Sequence, residues 1–291
     1  MAGSSHDVDS DKYDPSSMPF VAPCNKLDKM APWRWLRMGW SDICIAPKQS
    51  LLYGFIMMLI SYTVAYFAYK IGSFIMMVAL LAGFMFIGPV LAFGLYSISR
   101  QIQDGRKPVL GYCLSEGKRH LGNEMVFAAI LLVVFLIWAR AASTIHIFFP
   151  AQANPDLGDL AIFLGVGSAV GAIFSAVIFC ASAFSLPMLV DRKVDVVTAV
   201  VTSINATFRN KGIMLIWGSI IVTCVFVGFF TATLIILLPL IGHATWHAYQ
   251  ETINAEAWLK YKHSDKHRVA PSQPIDVTQQ KPKMPHYNPL K

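Results

Sequence analysis

The stretch that decides the fold is Gly212–Gln250, which reads GIMLIWGSIIVTCVFVGFFTATLIILLPLIGHATWHAYQ and contains no Asp, Glu, Lys or Arg. It is 39 residues long, whereas a helix that crosses a bilayer needs roughly 20 apolar residues. The stretch is therefore too long for one crossing and has the length of two. Other uncharged stretches precede it: Gln49–Tyr69, Ile71–Ser99 and Leu160–Val190. We predict an all-α protein that crosses a membrane several times.

The composition agrees with a membrane protein. The 291 residues are 55% hydrophobic and 14% charged, and soluble domains carry about 25% charged residues. The net charge of +7 lies mostly in loops and tails, where membrane topology accounts for it, so we predict no nucleic-acid partner. No Walker A, HExxH or GxSxG pattern occurs. Because no acidic residue falls near the centre of a predicted span, a carboxylate-coupled transporter is also disfavoured.

We place six transmembrane helices, joined as three hairpins, at about 51–69, 74–98, 125–149, 161–188, 213–229 and 231–250. They form one domain, 31–261. The flanking segments 1–30 and 262–291 are polar and have no apolar periodicity, so we predict that both are disordered tails. The first segment also lacks a basic start and an apolar core, so it does not resemble a signal peptide.

The boundary between the last two spans is not marked by a charge or a proline. We predict the turn at Gly228–Phe230. With six spans and a cytoplasmic N-terminus, all 24 Lys and Arg residues except Lys70 and Arg140 fall on the cytoplasmic side. The alternative, five spans with the C-terminal tail outside, distributes these charges more evenly. The positive-inside rule favours six spans with both termini in the cytoplasm.

A repeated pattern also favours six spans. Each cytoplasmic stretch looks like an interfacial amphipathic helix that precedes a hairpin. In the third unit apolar residues recur at helical spacing: Val197, Val200, Val201, Ile204 and Phe208. The corresponding residues of the first unit are Trp33, Leu36, Trp40 and Ile43, and those of the second are Leu110, Leu114 and Leu121. The basic residues of these helices are candidates for binding anionic lipid.

Two further patterns concern helix bending and packing. The second span of each hairpin contains a proline, at Pro89, Pro187 and Pro239, and each proline either bends its helix as a hinge or forms a static kink. The fourth span places Gly167, Gly171 and Ser175 on one face. A small-residue face lets another helix approach closely. That helix belongs either to the same chain or to a homodimer partner.

The strongest candidate for chemistry is the segment Gly242–Tyr249, GHATWHAY, in which His243 and His247 are four residues apart and share a helix face. A functional interpretation is that both imidazoles bind a metal or haem, which requires further ligands, with His120 as one candidate. The alternative is that both lie in the headgroup region beside Trp246 and hydrogen-bond to their neighbours.

Several segments resemble one known family: Trp35–Gly54 (WLRMGWSDICIAPKQSLLYG), Gly94–Gly105 (GLYSISRQIQDG), Leu186–Arg192 (LPMLVDR) and Pro239–Tyr249 (PLIGHATWHAY). They are similar to an uncharacterised bacterial integral-membrane family, domain of unknown function family 2189, over about residues 33–255. The resemblance implies a polytopic protein of the bacterial inner membrane and supplies no site residues. Some members carry the label cytochrome c oxidase subunit I.

The sequence thus leads to three hypotheses about function. The first is a non-enzymatic accessory, scaffold or assembly protein that contacts the lipid bilayer and a membrane-protein partner. The second is a transporter or channel for a small or lipidic solute, which would use the proline-containing spans. The third is a respiratory accessory protein that binds haem or metal through His243 and His247; for the first two hypotheses we expect no cofactor.

Overall fold

The computed structural model describes residues 19–71, 92–148 and 156–260. Within these ranges the chain is helical, with two isolated β-bridges, Cys24 with Ile253 and Arg192 with Lys260. The helices are α1 (Ala31–Ile45), α2 (Pro47–Ile71), α3 (92–103), α4 (Leu110–Phe148), α5 (Leu157–Ser182), α6 (Ser185–Asp191), α7 (Val196–Arg209), α8 (Lys211–Thr231) and α9 (Leu234–Thr252). The predicted all-α class is confirmed for the part of the chain that is described.

Four segments of the described chain are long and apolar enough to cross a membrane: Pro47–Phe67, Met125–Thr144, Leu157–Asp191 and Lys211–Thr231. They coincide with the first, third, fourth and fifth predicted spans. The second predicted span lies largely outside the described residues, which resume at residue 92. The sixth coincides with α9, which is not one of the four. The described chain therefore has four candidate membrane-spanning segments, while the number six stays a prediction.

The long uncharged stretch does form two helices. Helix α8 ends at Ala232, whose φ of 57° places it in the left-handed region, and such a residue terminates a helix. The break lies after the predicted turn at Gly228–Phe230. Gly228 instead packs closely inside α8, where an added Cβ would lie 2.9 Å from a methyl group of Leu234. The sequence gives no cue for this break, since Ala rarely adopts the left-handed conformation.

The second predicted interfacial helix is not a separate element. Residues 110–124 form the first part of α4, which continues without interruption to Phe148. The 39 residues of α4 correspond to about 58 Å of helix. The chain does not turn there because residues 118–148 contain no proline and a single glycine, Gly122. An isolated glycine is tolerated inside a helix.

Helix α7 forms where the third interfacial helix is predicted, but most of its buried side chains are small or polar. Its small and polar side chains are buried: Thr198, Ala199, Thr202, Ser203, Ala206 and Thr207. The apolar residues Val197 and Phe208 at its two ends are 54% and 67% exposed. Asp195 caps the helix by accepting a hydrogen bond from the backbone N–H of Thr198. Helix α7 therefore packs on the rest of the described chain through its small side chains.

The sequence predicts that residues 19–30 belong to a disordered tail, and the structure shows that this prediction is wrong for them. Ala22 and Cys24 are buried, and the backbone N–H of Asn25 donates to the carbonyl of Thr252 at 2.8 Å. The side chain of Asn210 binds the backbone of this segment twice, accepting from the Leu27 N–H and donating to the Asn25 carbonyl. The polar residues of this segment pair with distant backbone and amide groups, and such pairings are not visible in a local sequence pattern. Residues 1–18 and 261–291 lie outside the described residues.

The largest buried core is formed by α1, α3, α6, α7 and α9, together with the start of α8 and one part of α4. Its largest fully buried side chains include Trp35, Trp217, Trp246, Tyr249, Phe93 and Phe184. In contrast, no residue in the most apolar 18-residue window of the Leu157–Asp191 segment is buried. The other three candidate spans bury between 17% and 28% of their most apolar window, so each is mostly outside the core and contributes to it through a few residues.

Two glycines allow neighbouring helices to approach closely. A Cβ on Gly39 of α1 would lie 2.8 Å from the backbone nitrogen of Ala244 in α9, and one on Gly54 of α2 would lie 2.0 Å from the carbonyl oxygen of Ile235. That carbonyl loses its helical donor because Pro239, four residues later, has no N–H. Gly54 therefore packs α2 against the part of α9 that the proline has opened.

Candidate functional site

The four segments on which the family resemblance rests come together in space. They supply side chains of α1 and the start of α2, the end of α3, α6, and the second half of α9. Polar groups from all four form two largely buried networks, which we together call the polar core: Asp42, Ser50, Ser99, His243 and His247 in the first, and Arg100, Asp191 and Tyr249 in the second. Networks of this kind are costly to bury unless their members are hydrogen-bonded to one another.

His243 lies at the centre of the first network with no exposed surface. Its Nε2 lies 2.9 Å from Ser50 Oγ on α2, and its Nδ1 lies 2.7 Å from Ser99 Oγ on α3. Both ring nitrogens are therefore occupied by hydroxyl groups from two other helices. The imidazole joins α9 to α2 and α3 at a single point.

Asp42 fixes the direction of donation through this cluster. Ser99 Oγ donates its one proton to Asp42 Oδ2 at 2.7 Å, so it must accept a hydrogen bond from Nδ1–H of His243. In the neutral imidazole Nε2 is then the acceptor for Ser50 Oγ–H. Donation runs from Ser50 to His243, to Ser99 and finally to the carboxylate of Asp42.

His247, one helical turn beyond His243, approaches the same carboxylate from the other side. Its Nε2 lies 2.8 Å from Asp42 Oδ2, and its side chain is 18% exposed, against 7% for Asp42. Asp42 of α1 is thus bonded directly to α9 through His247 and indirectly through Ser99. These contacts hold helix α1 against α9.

A second part of the polar core is an ion pair between Arg100 and Asp191, whose side chains are each 1% exposed. Asp191 Oδ2 accepts hydrogen bonds from Tyr249 Oη at 3.0 Å and from Arg192 Nε at 2.9 Å. Arg100 donates to the carbonyl of Val190 at 3.0 Å. Arg100 Nε lies 3.9 Å from Asp191 Oδ1, which is an ion-pair distance and longer than a hydrogen bond. Removing one member of such a pair leaves a buried charge without its counter-ion, so the loss of either side chain is costly.

The C-terminal end of α9 carries a third, more exposed set of polar contacts. Glu251 accepts from the indole Nε1–H of Trp35 at 2.8 Å and forms a salt bridge with Arg34. Arg34 also pairs with Asp28 at 2.7 Å, and its hydrogen bond lowers the pKa of the Asp28 carboxyl below the ordinary value of 3.8. Near the middle of α9, Trp246 Nε1–H donates to Gln103 at 3.0 Å.

The arrangement of hydroxyl, imidazole and carboxylate resembles the set of groups used in nucleophilic catalysis. Ser50, the hydroxyl at the start of the donor chain, is completely buried. A substrate therefore has no access to its Oγ. The polar core has the chemistry of a structural network that connects helices, and it differs from an open active site.

The two predicted ligands His243 and His247 do lie close together, but each is engaged by the protein. Across the described residues no group of three or more His, Cys, Asp and Glu side chains is placed to hold a metal ion. The side chain of the third candidate ligand, His120, lies outside what is described. Binding of a metal or haem by the pair stays a prediction, and it would require both imidazoles to give up their present hydrogen bonds.

None of the predicted hinge and packing residues is a member of the polar core, although Pro187 and Pro239 lie on the helices that carry Asp191 and His243. Pro89 is outside the described residues, while Pro187 is in the first turn of α6, after the break between α5 and α6, where a proline is tolerated. Within the described chain, nothing lies within 4 Å of a Cβ added to Gly167 or Gly171. Gly167 instead borders a shallow apolar groove between α4 and α5, beside Trp138 and Phe163.

Sequence reasoning missed Asp42, Ser99, Arg100 and Asp191. The sequence predicts no carboxylate at the depth of His247, because Asp42 belongs to α1 and not to a predicted span. Arg100 and Asp191 fall in predicted cytoplasmic loops because each ends an uncharged stretch. The available signal was their position inside the four segments of family resemblance.

One comparison with known proteins supports the membrane class and the family resemblance. A family model with the description "Predicted integral membrane protein (DUF2189)" matches residues 76–191, and this match confirms the family resemblance found in the sequence. The matched range contains the contributions of α3 and α6 to the polar core. Neither a curated protein nor a solved structure matches the chain. The family description and the apolar helices together indicate an integral membrane protein.

Proposed function

We propose that the protein is a non-enzymatic membrane protein that acts as an accessory, scaffold or assembly factor. The observation that carries this proposal is the contrast between a closed polar core and open apolar helices. The imidazole of His243 and the carboxylate of Asp42 are both engaged by internal partners. Helix α5 presents its apolar side chains outward, as with Ile173 at 64% exposed.

A protein that works by binding needs a stable body and an outer surface for its partner. The polar core supplies the first, because it ties α1, α2, α3, α6 and α9 together through directional contacts. The outer faces of α5 and α8 supply the second, because apolar surface in the membrane is available to lipid or to another apolar helix. Turnover of a substrate would instead require an accessible polar group.

The topology we propose has six spans, with α9 as the sixth, both termini in the cytoplasm, and a location in the bacterial inner membrane. The charge distribution of the sequence supports this arrangement, as does the break at Ala232, which ends α8 before α9 begins. Helices α1 and α7 would lie along the cytoplasmic surface. Each is separated from a candidate span by a single residue, Ala46 or Asn210.

The surface we propose for a protein partner, or for a second copy of the chain, is the face of α5 that carries Gly167, Gly171 and Ser175. Added Cβ atoms at both glycines meet open space in the described structure. Small residues spaced by four let the backbone of another transmembrane helix approach closely. Gly165 is also open, but it lies on a different side of α5 and serves as a control.

The proposal is tested by purifying the full chain in a mild detergent and measuring the mass and composition of the complex. We expect a stoichiometric partner or a dimer, and we expect it to be lost when Gly167→Leu and Gly171→Leu are combined. The variant Gly165→Leu should keep it. A monomer with nothing bound to wild-type protein would contradict the proposal.

The same preparation decides between the other two hypotheses. A Soret band in the visible spectrum that is lost in His243→Ala or His247→Ala would establish a haem protein instead. Flux of a solute through reconstituted vesicles that depends on the protein would establish a transporter. Either result would replace the accessory function.

A further inference from the structure

The outer face of α1 has a fixed orientation. Its inner face is held on α9 by the close approach at Gly39 and by the bond between Asp42 and His247. Rotation of α1 about its axis would break both contacts. The opposite face, with Trp33 at 57% and Trp40 at 51% exposed and with Arg37 between them, therefore stays outward.

The end of α1 lies at the boundary of the membrane. One residue, Ala46, separates α1 from α2, and the candidate span begins at Pro47. Tryptophan is enriched at this level because its ring is apolar and its N–H is polar. The outward indoles of α1 thus have the side chains and the position of a membrane-surface contact.

A basic corner is formed where this boundary meets the loop after α3. The side-chain amide of Gln49 donates to the carbonyl of Pro108 at 2.9 Å. That bond brings together the neighbours of the two residues, Lys48 in the first turn of α2 and Arg106 and Lys107 in the loop. All three cations are exposed.

The corner carries positive charge that the described residues do not neutralise. None of Lys48, Arg106 and Lys107 forms a salt bridge with a described carboxylate. The acidic residue of the same loop, Asp104, is engaged by Lys260 at 3.1 Å. Cations at a membrane surface attract anionic headgroups.

We propose that the corner formed by Lys48, Arg106 and Lys107 is a binding site for the headgroups of anionic phospholipids, with Trp33 and Trp40 of α1 in the adjoining interface. The site names the lipid partner of the proposed membrane protein and rests on α2 crossing the bilayer. It does not depend on a protein partner, so the two proposals fail independently.

The test uses the full chain in bilayers that mix phosphatidylcholine with a rising fraction of chain-brominated phosphatidylglycerol. Bromine quenches tryptophan fluorescence, so the part of the quenching that is lost when Trp33 and Trp40 are both replaced by Phe reports lipid that gathers near the corner. The test variant combines Lys48→Gln with Lys107→Gln. The control combines Lys26→Gln with Lys29→Gln. It removes the same charge from two exposed lysines that precede the N-terminus of α1, at the opposite end of this 15-residue helix from Lys48.

We expect wild-type protein and the control to be quenched at a low fraction of phosphatidylglycerol, and the test variant to need a fraction on the order of tenfold higher. Brominated phosphatidylcholine should quench all three equally. Equal phosphatidylglycerol curves for wild-type protein and the test variant would overturn the proposal. An equal shift in both variants would also overturn it, because net charge alone would then explain the effect. Equal melting temperatures of the variants confirm that the fold is retained.

Discussion

Helices α9 and α5 are both apolar segments predicted to cross the membrane, yet they are stabilised in different ways. Helix α9 buries ten of its residues, including His243, Trp246 and Tyr249, and it contacts α1, α2, α3 and α6. The apolar window of α5 has no buried residue. The contrast shows that hydropathy alone does not distinguish a helix held by its own protein from one held by its surroundings.

The difference follows from where polar groups occur. Helix α5 has a single charged residue, Asp159, in its first turn, so its sequence suits a surrounding hydrocarbon phase. Helix α9 carries two imidazoles, two large aromatic residues with polar ends and Glu251. Each of these needs a specific partner when it leaves water. Helix α9 therefore determines which helices assemble around it, and we expect substitutions there to be far more costly.

The largest effect is expected from Asp191→Ala, which removes the partner of the buried Arg100. We expect a loss of about 3–5 kcal/mol, because an uncompensated buried charge remains. The apparent melting temperature of the protein in detergent measures it. The control Asp159→Ala, on the exposed start of α5, should leave that temperature nearly unchanged. Equal effects at the two positions would remove the distinction between the helices.

The two histidines of α9 should differ, although the sequence pairs them. His243→Ala leaves the hydroxyls of Ser50 and Ser99 buried beside a cavity, and we expect a loss of about 2–4 kcal/mol. His247→Ala acts at a partly exposed site and leaves Ser99 bonded to Asp42, so we expect about 1–2 kcal/mol. Denaturant titration of both variants measures the order, and a larger loss at His247 would contradict it.

Glycine-to-alanine substitutions extend the comparison to backbone packing. In Gly54→Ala the new methyl group would lie 2.0 Å from the carbonyl oxygen of Ile235, so α2 and α9 must separate at a cost of about 1–3 kcal/mol. In Gly167→Ala and Gly171→Ala the methyl group meets open space. We expect unchanged or slightly raised melting temperatures there, because alanine favours a helix. A destabilised Gly167→Ala monomer would show that α5 is packed within its own chain.

The smallest expected effect concerns the exposed salt bridge between Arg34 and Asp28. Arg34 lowers the pKa of Asp28, so the folded state holds this proton less tightly than the unfolded chain. The stabilisation is fully present above the unfolded value, near 3.8, and is lost as pH falls through the lower folded pKa.

Because Asp28 is largely exposed, the effect is a few tenths of a kcal/mol. Wild-type protein and Asp28→Asn should therefore differ slightly in melting temperature at neutral pH, and the difference should disappear as the pH falls below 3.8 and through the lowered pKa of the folded state. A difference that persists in acid would show that Asp28 contributes through something other than its charge.

The sequence predicts the elements that hydropathy determines. Four of the six predicted spans coincide with candidate membrane segments, and α1 and α7 coincide with two of the three predicted interfacial helices. Long uncharged stretches and helical periodicity are local properties, so a single sequence reveals them. The division of the last uncharged stretch into two helices was predicted, but its position at Ala232 and the continuity of helix α4 were not, because neither depends on a glycine or proline signal.

The polar core could be predicted only in part. His243 and His247 are recognisable because they share one helix face, but Asp42 lies 205 residues from His247 and Ser99 lies 144 residues from His243. Pairing over such distances depends on how α1, α3 and α9 pack, and no local pattern encodes it. The same reason explains why the sequence of residues 19–30 predicts disorder: their partners are Asn210 and Thr252.

The central claim is that α1 is bound to α9 through the polar core, and a double-mutant cycle on Asp42 and His247 tests it most directly. The free energy of unfolding would be measured for wild-type protein, Asp42→Asn, His247→Gln and the combined variant. Contact between the two side chains predicts a coupling energy of about 1–3 kcal/mol, so that the combined loss is smaller than the sum of the single losses. Additive losses, within about 0.3 kcal/mol, would contradict the account.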